Sequence, residues 1–232
     1  MNKNQFDVLV YLERNNDVKL TQRVIAEAVN LSIGTVNTAI KSLIEEGLVE
    51  LDSVGVYTLS NKAYELLEPY KVKRAIFFAA GFGSRLVPVT YNTPKPLIRV
   101  NGVRMIDTLL DAVIAAGIED ITIVRGFLKE QFDTLLPKYP MLKFIDNDAY
   151  NEANNISSAY LVKDLFANTL ILESDLILSD PSIIRKYEYT TNYRAKKVSR
   201  TDDWCFETKA DLITKVKIGG EDVYEMVGIS YW

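Results

Sequence analysis

The side chains best suited to chemistry fall in one short stretch, Ala79 to Leu97, which reads AAGFGSRLVPVTYNTPKPL. Gly81 and Gly83 lack a Cβ, so each can take positive φ and let backbone N–H groups approach a polyphosphate closely. Ala80 and Ser84 flank them, and Arg85 adds a planar positive fork. Lys95 stands between Pro94 and Pro96, which restrict the backbone on both sides and aim its point charge at one place. Phosphate is therefore the expected guest. No Gly-Lys-Ser/Thr follows the glycines, and Arg85 stands where the dinucleotide fingerprint needs a small residue, so neither a P-loop nor that fingerprint fits.

A second group of candidates lies downstream. The apolar run Thr169-Leu170-Ile171-Leu172 ends in Glu173-Ser174-Asp175. A carboxylate at the carboxyl end of an inner strand faces the ligand crevice, is poorly solvated and attracts a cation, which makes Asp175 the expected Mg²⁺ ligand. Capping of the turn into Leu176 to Asp180 is its alternative role. Glu173 shares its face by strand alternation. Between Asn147 and Ser158 amides and hydroxyls are dense; Asn154, Asn155 and Ser157 could match the polar edge of a pyrimidine or a sugar, while Asn147 and Asn151 read as a solvated loop.

These groups need strands and helices to hold them. Arg74 to Phe78 is a buried-strand run that stops at two alanines, delivering the chain into the glycine loop. Met105 to Ala115 has helical periodicity and ends at Ala116-Gly117. Ile121 to Val124 is the next strand, Leu128 to Leu135 a second helix, Leu142 to Ile145 a third strand, Ala159 to Leu165 a further helix and Thr169 to Leu172 a fourth strand. Strands alternating with helices at this spacing predict an α/β fold with a Rossmann-like, mostly parallel sheet over residues 71–232, whose ligands sit outside the carboxyl ends of the strands.

Residues 1–70 follow a different pattern, a small α+β winged-helix domain. Phe6, Val8, Leu9 and Leu12 mark one helix, Gln22 to Val29 a second, and Ser32 caps a third over Ile33 to Glu46 that Gly47 stops. Two short strands, 48–51 and 56–59, flank a turn, and Asn61 to Pro69 closes the unit. Helix, helix-turn-helix and hairpin resemble a winged helix, whose third helix would enter a DNA groove. Charge argues for caution: six basic side chains face ten acidic ones here, and the start of the third helix carries no Lys or Arg, although phosphate neutralisation supplies most non-specific affinity. Asn37 and Thr38 could still read bases; a protein partner is the other expectation. The junction at 70–73 is short, which predicts close docking of the two domains.

Composition narrows the chemistry. Histidine is absent and Cys205 is the one cysteine, so the usual general base, the usual zinc ligands and an internal disulfide are all missing. Reactivity must rest on carboxylates, Lys, Arg and hard cations, which favours Mg²⁺-assisted phosphoryl or nucleotidyl transfer over a hydrolase triad. With 48 % hydrophobic and 25 % charged residues, no apolar run long enough to span a bilayer and no signal-like start, a cytoplasmic globular protein is expected.

Gly81-Phe82-Gly83-Ser84-Arg85-Leu86, Pro88, Thr90 and Thr93-Pro94-Lys95-Pro96-Leu97 together resemble the signature of nucleotidyltransferases that join a nucleoside triphosphate to a phosphorylated small molecule. Lys129-Glu130-Gln131-Phe132, Asn154-Asn155, Tyr160 to Lys163, Glu173-Ser174-Asp175, Asp203-Trp204 and Gly228 to Trp232 narrow the resemblance, over residues 73–232, to bacterial choline-phosphate cytidylyltransferases. That resemblance implies CTP and phosphocholine as substrates, Mg²⁺ as cofactor, CDP-choline and pyrophosphate as products, Arg85 and Lys95 as catalytic groups, and Trp204 and Tyr231 at the acceptor. A quaternary ammonium donates no hydrogen bond and is held by aromatic faces and carboxylates, and the segment after Pro181 interleaves eight Tyr, Trp and Phe with acidic residues. The resembling enzymes carry a second acidic metal ligand just past the Tyr-Trp pair, so a fragment of a longer protein is expected, and relatives with a winged helix can continue into a choline-kinase-like domain. Two alternatives share the loop: a transferase acting on a sugar 1-phosphate, and a transcription regulator that senses CTP or choline phosphate.

Overall fold

Polar caps and apolar stripes set the first elements. In the computed structural model, which describes residues 1–153 and 155–232, the chain forms two compact units, Met1–Lys71 and Val72–Trp232. In the first, Asn2 and Gln5 cap α1 (Lys3–Arg14) reciprocally, the Gln5 N–H donating to Asn2 at 3.0 Å and the Asn2 N–H to Gln5 at 2.8 Å. Thr21 caps α2 (Gln22–Val29), and Asn30 ends it in the left-handed region at φ 54°. Ser32 caps α3 (Ile33–Glu45) as expected, and Val36, Ile40 and Leu43 bury its inner face. A hairpin of β1 (Val49–Leu51) and β2 (Tyr57–Leu59) forms the wing; Asp52 accepts the N–H groups of Val54 and Val56 in its turn, which holds its carboxyl below the usual range. Helix α4 (Asn61–Leu67) closes the unit.

Two polar residues expected on the outer face of α3 have partners inside the unit. Asn37 donates to Gln22 at 3.1 Å, and the Thr38 hydroxyl donates back to the Gly34 carbonyl at 3.0 Å.

The second unit is built on a six-stranded sheet, order β7-β6-β3-β8-β10-β9. Strands β3 (Arg74–Ala79), β6 (Asp120–Arg125), β7 (Lys143–Asp146) and β8 (Thr169–Glu173) are parallel. A small two-stranded sheet, β4 (Arg99–Val100) and β5 (Val103–Arg104), leads into α5 (Met105–Ala115). Helix α6 (Asn155–Leu161) precedes β8, and the hairpin of β9 (Asn192–Lys209) and β10 (Leu212–Tyr231) is antiparallel to it. Strand alternation sorts the core: Ala75, Phe77 and Ala79 pack on one side of the sheet with Leu109, Phe132 and Leu172, whereas Ile76 faces the other side with Val124, Val162 and Ile171. Among the described residues no helix is long and apolar enough to cross a membrane.

Two elements differ from expectation. Residues 129–135 form a 3₁₀ helix rather than an α-helix, because Leu128 sits at φ 50° and Pro137, just beyond, has no N–H to continue a ladder. The helix expected over 159–165 runs earlier: α6 ends at Leu161 and a separate 3₁₀ turn follows at Lys163–Leu165.

Phe77 is wholly buried at the centre of the sheet. Phe77→Ala should cost about 3–5 kcal/mol through lost burial and the cavity left behind, read as a shift of the second unit's transition in urea.

Candidate active site

Parallel pairing of β3 with β8 sets Phe78 beside Glu173, so the glycine loop and the acidic turn leave the sheet at one edge. Ser174 locks that meeting: its N–H and its hydroxyl both donate to the Phe78 carbonyl, at 3.3 and 2.6 Å. An open cleft of about 680 Å³ lies over this edge, a volume suited to a small ligand.

The glycine loop has one strained corner. Gly83 sits at φ 70° and turns the chain into a 3₁₀ turn at Ser84–Leu86; Gly81, for which positive φ was also expected, does not adopt it. A Cβ on Gly83 would lie 3.0 Å from Thr90 Cγ2 and 3.1 Å from Lys95 Cβ. The wholly buried Thr90 donates its hydroxyl to the Gly83 carbonyl at 3.1 Å, so one glycine lets the loop rest directly on the lysine segment. A third segment supports the loop from the other side. The Phe127 N–H donates to the Ala80 carbonyl at 3.0 Å, and Phe82 packs edge-on against Phe127 at 4.6 Å between centroids. Gly126 permits that approach, since a Cβ there would stand 2.8 Å from the Ala80 oxygen.

Lys95 opens a short 3₁₀ turn after Pro94, and its Nζ meets Asp175 Oδ2 at 2.5 Å. Ala80, Gly81, Gly83, Ser84, Arg85, Lys95, Asn155, Ser157, Asp175 and Trp204 all line the cleft, so the structure assembles most of the residues singled out from the sequence. Asn154 lies outside the described residues. Tyr231 is a correction: it is buried in the core and donates its hydroxyl to Asn168 at 2.9 Å. Because β10 runs antiparallel to β8, Tyr231 pairs with Leu170 near the amino end of the parallel strands, away from the cleft at their carboxyl ends. Asn147 is the converse. Read as a solvated loop residue, it is 2 % exposed and lines the cleft.

The same cleft combines carboxylates with aromatic rings. Glu173, Asp175 and Asp203 line it with Tyr193 and Trp204. Burial first, then the nearby charges of Asp175 and Asp203, raise the proton affinity of the Glu173 carboxyl above its ordinary value. Gly228, at φ 71°, lets the backbone press on this side chain, since a Cβ there would fall 2.9 Å from Glu173 Cβ. Burial and the Glu173 charge push the Tyr193 hydroxyl up to about 12, and its ring packs edge-on against Phe206 at 5.1 Å. Tyr193 stood among the aromatics of the sequence without distinction; only the fold of the hairpin turns it into the cleft. Among the described residues no three carboxylates or other ligating side chains are grouped closely enough to cage a metal by themselves. Magnesium does not require such a cage: it takes one or two carboxylates and completes its shell with water and phosphate oxygens, which suits a cleft carrying Asp175 beside a phosphate-type loop.

Fold and cleft define a nucleotidyltransferase, and the nucleotidyl transferase family model matches residues 74–210: the chain belongs to that family. A winged helix-turn-helix DNA-binding model matches residues 1–50. Its relatives include cytidylyltransferases. The chain is 44 % identical over 162 residues to a 2-aminoethylphosphonate cytidylyltransferase of Lancefieldella rimae, covering 68 % of this chain and 66 % of that protein. It is 34 % identical over 160 residues to a choline-phosphate cytidylyltransferase of Streptococcus pneumoniae, covering 68 % and 69 %. A solved structure of the CTP:phosphocholine cytidylyltransferase from that organism superposes with a TM-score of 0.63 at 34 % identity, over 68 % of this chain and 70 % of the other. The chain thus spans about two thirds of the length of the curated relatives it matches.

Two outcomes follow from this geometry. Gly83→Ala should cost about 1–2 kcal/mol of stability from its positive φ, measured by thermal melting, and should weaken nucleotide binding because the new methyl presses on Thr90 and Lys95. Glu173→Gln should stabilise the ligand-free protein at neutral pH. The folded-state proton affinity of Glu173 is raised, so both proteins carry a neutral group well below the carboxylate range and the glutamine gains only as pH rises through it. Melts at about pH 4 and about pH 8 check the sign.

Proposed function

We propose that the Val72–Trp232 unit transfers a cytidylyl group from CTP to a small acceptor bearing a phosphate or phosphonate at one end and a cationic nitrogen at the other, phosphocholine or 2-aminoethylphosphonate. One observation carries this reading: a single cleft is lined both by the glycine loop, Arg85 and Lys95 and by Glu173, Asp203, Tyr193 and Trp204. An anion and a cation each find complementary groups there. The 2-aminoethylphosphonate and choline-phosphate enzymes among its relatives support such an acceptor.

An acceptor oxygen of the phosphate or phosphonate attacks the α-phosphorus of CTP in line, the bond to the bridging β-oxygen breaks, and pyrophosphate leaves. The backbone of Ala80, Gly81, Gly83 and Ser84 cradles the triphosphate, and Arg85 takes the β- and γ-phosphate charge. Lys95 bridges the α-phosphate and the incoming anion, lowering their repulsion. Asn155 and Ser157 face the base and ribose. Asp175 would hold Mg²⁺, which when bound would supply charge neutralisation to the phosphates. Trp204 and Tyr193 offer aromatic faces to the cationic nitrogen, while Glu173 and Asp203 supply counter-charge; a primary ammonium gains hydrogen bonds from the carboxylates and a quaternary one gains chiefly from the rings. For the first unit, the family match favours DNA as the partner, and a gel-shift titration with and without CTP tests whether the chain acts as a ligand-sensing regulator.

Pyrophosphate release with Mg²⁺ and CTP, compared across 2-aminoethylphosphonate, phosphocholine and glucose 1-phosphate, tests the proposal. Release with the cationic acceptors and not with the sugar phosphate is expected, with Lys95→Ala slower by about 10²–10³-fold. Preference for the sugar phosphate would overturn the acceptor; no release with any of them, together with CTP-dependent DNA affinity, would favour the regulator.

A further inference from the structure

Asn147 follows β7 directly and is 2 % exposed, although most of residues 148–153 beside it are open to solvent. Every polar group it carries toward its neighbours has a partner. Its backbone N–H donates to the Arg125 carbonyl at 2.8 Å, at the end of β6. Its Oδ1 accepts the Ala149 N–H at 3.1 Å. Its Nδ2 donates to the hydroxyl oxygens of Ser157 at 2.9 Å and Ser158 at 3.0 Å, both in the first turns of α6. One acceptor and two donors used on the correct sides settle the orientation of the carboxamide.

Both serines line the cleft and differ in exposure: Ser158 is buried, whereas Ser157 is only half-buried. The residue therefore joins a strand end, through its backbone N–H, to two hydroxyls of α6, through its carboxamide, across a loop that has little apolar burial of its own to hold it. Arg125, whose carbonyl anchors Asn147, is itself fixed: its guanidinium bonds Asp146 and Asp133 at 2.7 and 2.6 Å and lies 4.2 Å over the Phe144 ring.

We propose that Asn147 is a positioning residue for the nucleotide: its backbone N–H is fixed on the end of β6, and its carboxamide ties the start of α6 to the turn after β7 and holds Ser157 at the wall of the cleft. The proposal rests on the reading that CTP occupies this cleft with its base or ribose near Ser157. A residue with a merely structural role would lower stability and disturb every kinetic constant together. A positioning residue acts through Ser157 and separates the constants: the KM for CTP rises while kcat and the acceptor KM hold.

The test is CTP affinity by titration calorimetry on the full chain for wild type, Asn147→Ala, Ser157→Ala and the double variant, with steady-state kinetics alongside. Asn147→Ala is expected to weaken CTP by about tenfold, the size of one well-made hydrogen bond lost at a partly buried site. The double variant should be no weaker than Asn147→Ala within about twofold, because both changes interrupt one connection. Additive losses, an unchanged CTP affinity in Asn147→Ala, or a joint fall in kcat and both KM values would overturn it. If Asn147→Ala does not fold, Asn147→Ser carries the test: it keeps a small polar group that cannot span both hydroxyls, and unchanged CTP affinity there overturns the proposal. Wild-type protein that binds no CTP would overturn the nucleotide reading and this proposal with it, whereas wild-type binding that survives in the variants removes the positioning role alone.

Discussion

Strand β3 is held between β6 and β8, and its register with β8 places Phe78 against Glu173. Two segments nearly a hundred residues apart in sequence thereby leave the sheet side by side, one carrying backbone N–H groups and Lys95, the other carboxylates. Ser174 makes the register costly to lose, because its two hydrogen bonds to the Phe78 carbonyl form only when the strand ends are level. A parallel sheet supplies this arrangement as a matter of topology: loops at the carboxyl ends of neighbouring strands face one crevice, and the chain reverses direction of travel across the sheet beside β3.

The charge distribution follows from that meeting. Lys95 is the basic group closest to the acidic turn and is bonded to Asp175, while Glu173, with two carboxylates near it and partial burial, is left with a raised proton affinity. Such crowding of like charge is unfavourable in the ligand-free protein and becomes useful when a cation is the guest, since the protein has already met the cost of assembling it. The loop side has the opposite character. Its polar groups are backbone N–H donors and the exposed guanidinium of Arg85.

The hairpin β9–β10 completes the cleft from a different direction. Tyr193 and Trp204 lie on one strand and Gly228 on the other, and the positive φ of Gly228 allows close approach to Glu173. The part of the cleft lined by Tyr193, Trp204 and Gly228 is therefore antiparallel structure attached to the edge of a parallel sheet, while the glycine loop and the acidic turn follow parallel strands.

Local sequence was sufficient wherever the determining interaction is local. Helix caps at Ser32, strand runs that end at alanines or carboxylates, the proline clamp on Lys95 and the glycine loop were all legible, because each depends on backbone preferences or on neighbours a few residues away. Asp175 and Trp204, singled out by position at a strand end and by motif, both line the cleft. The failures share the opposite property. Asn147 looked like loop filler because its partners, Arg125, Ser157 and Ser158, become neighbours only after β6, β7 and α6 pack. Tyr231 looked like a ligand residue because nothing in its surroundings reveals the antiparallel direction of β10, which carries it to the far end of the sheet. Gly81 and Gly83 appeared equivalent until contact with Thr90 and Lys95 selected one of them for the strained conformation. The sequence by itself determined the elements and the kinds of chemical group available; tertiary structure alone decided which of those groups share a cleft, because strand order and direction are set by contacts between segments that no local spacing records.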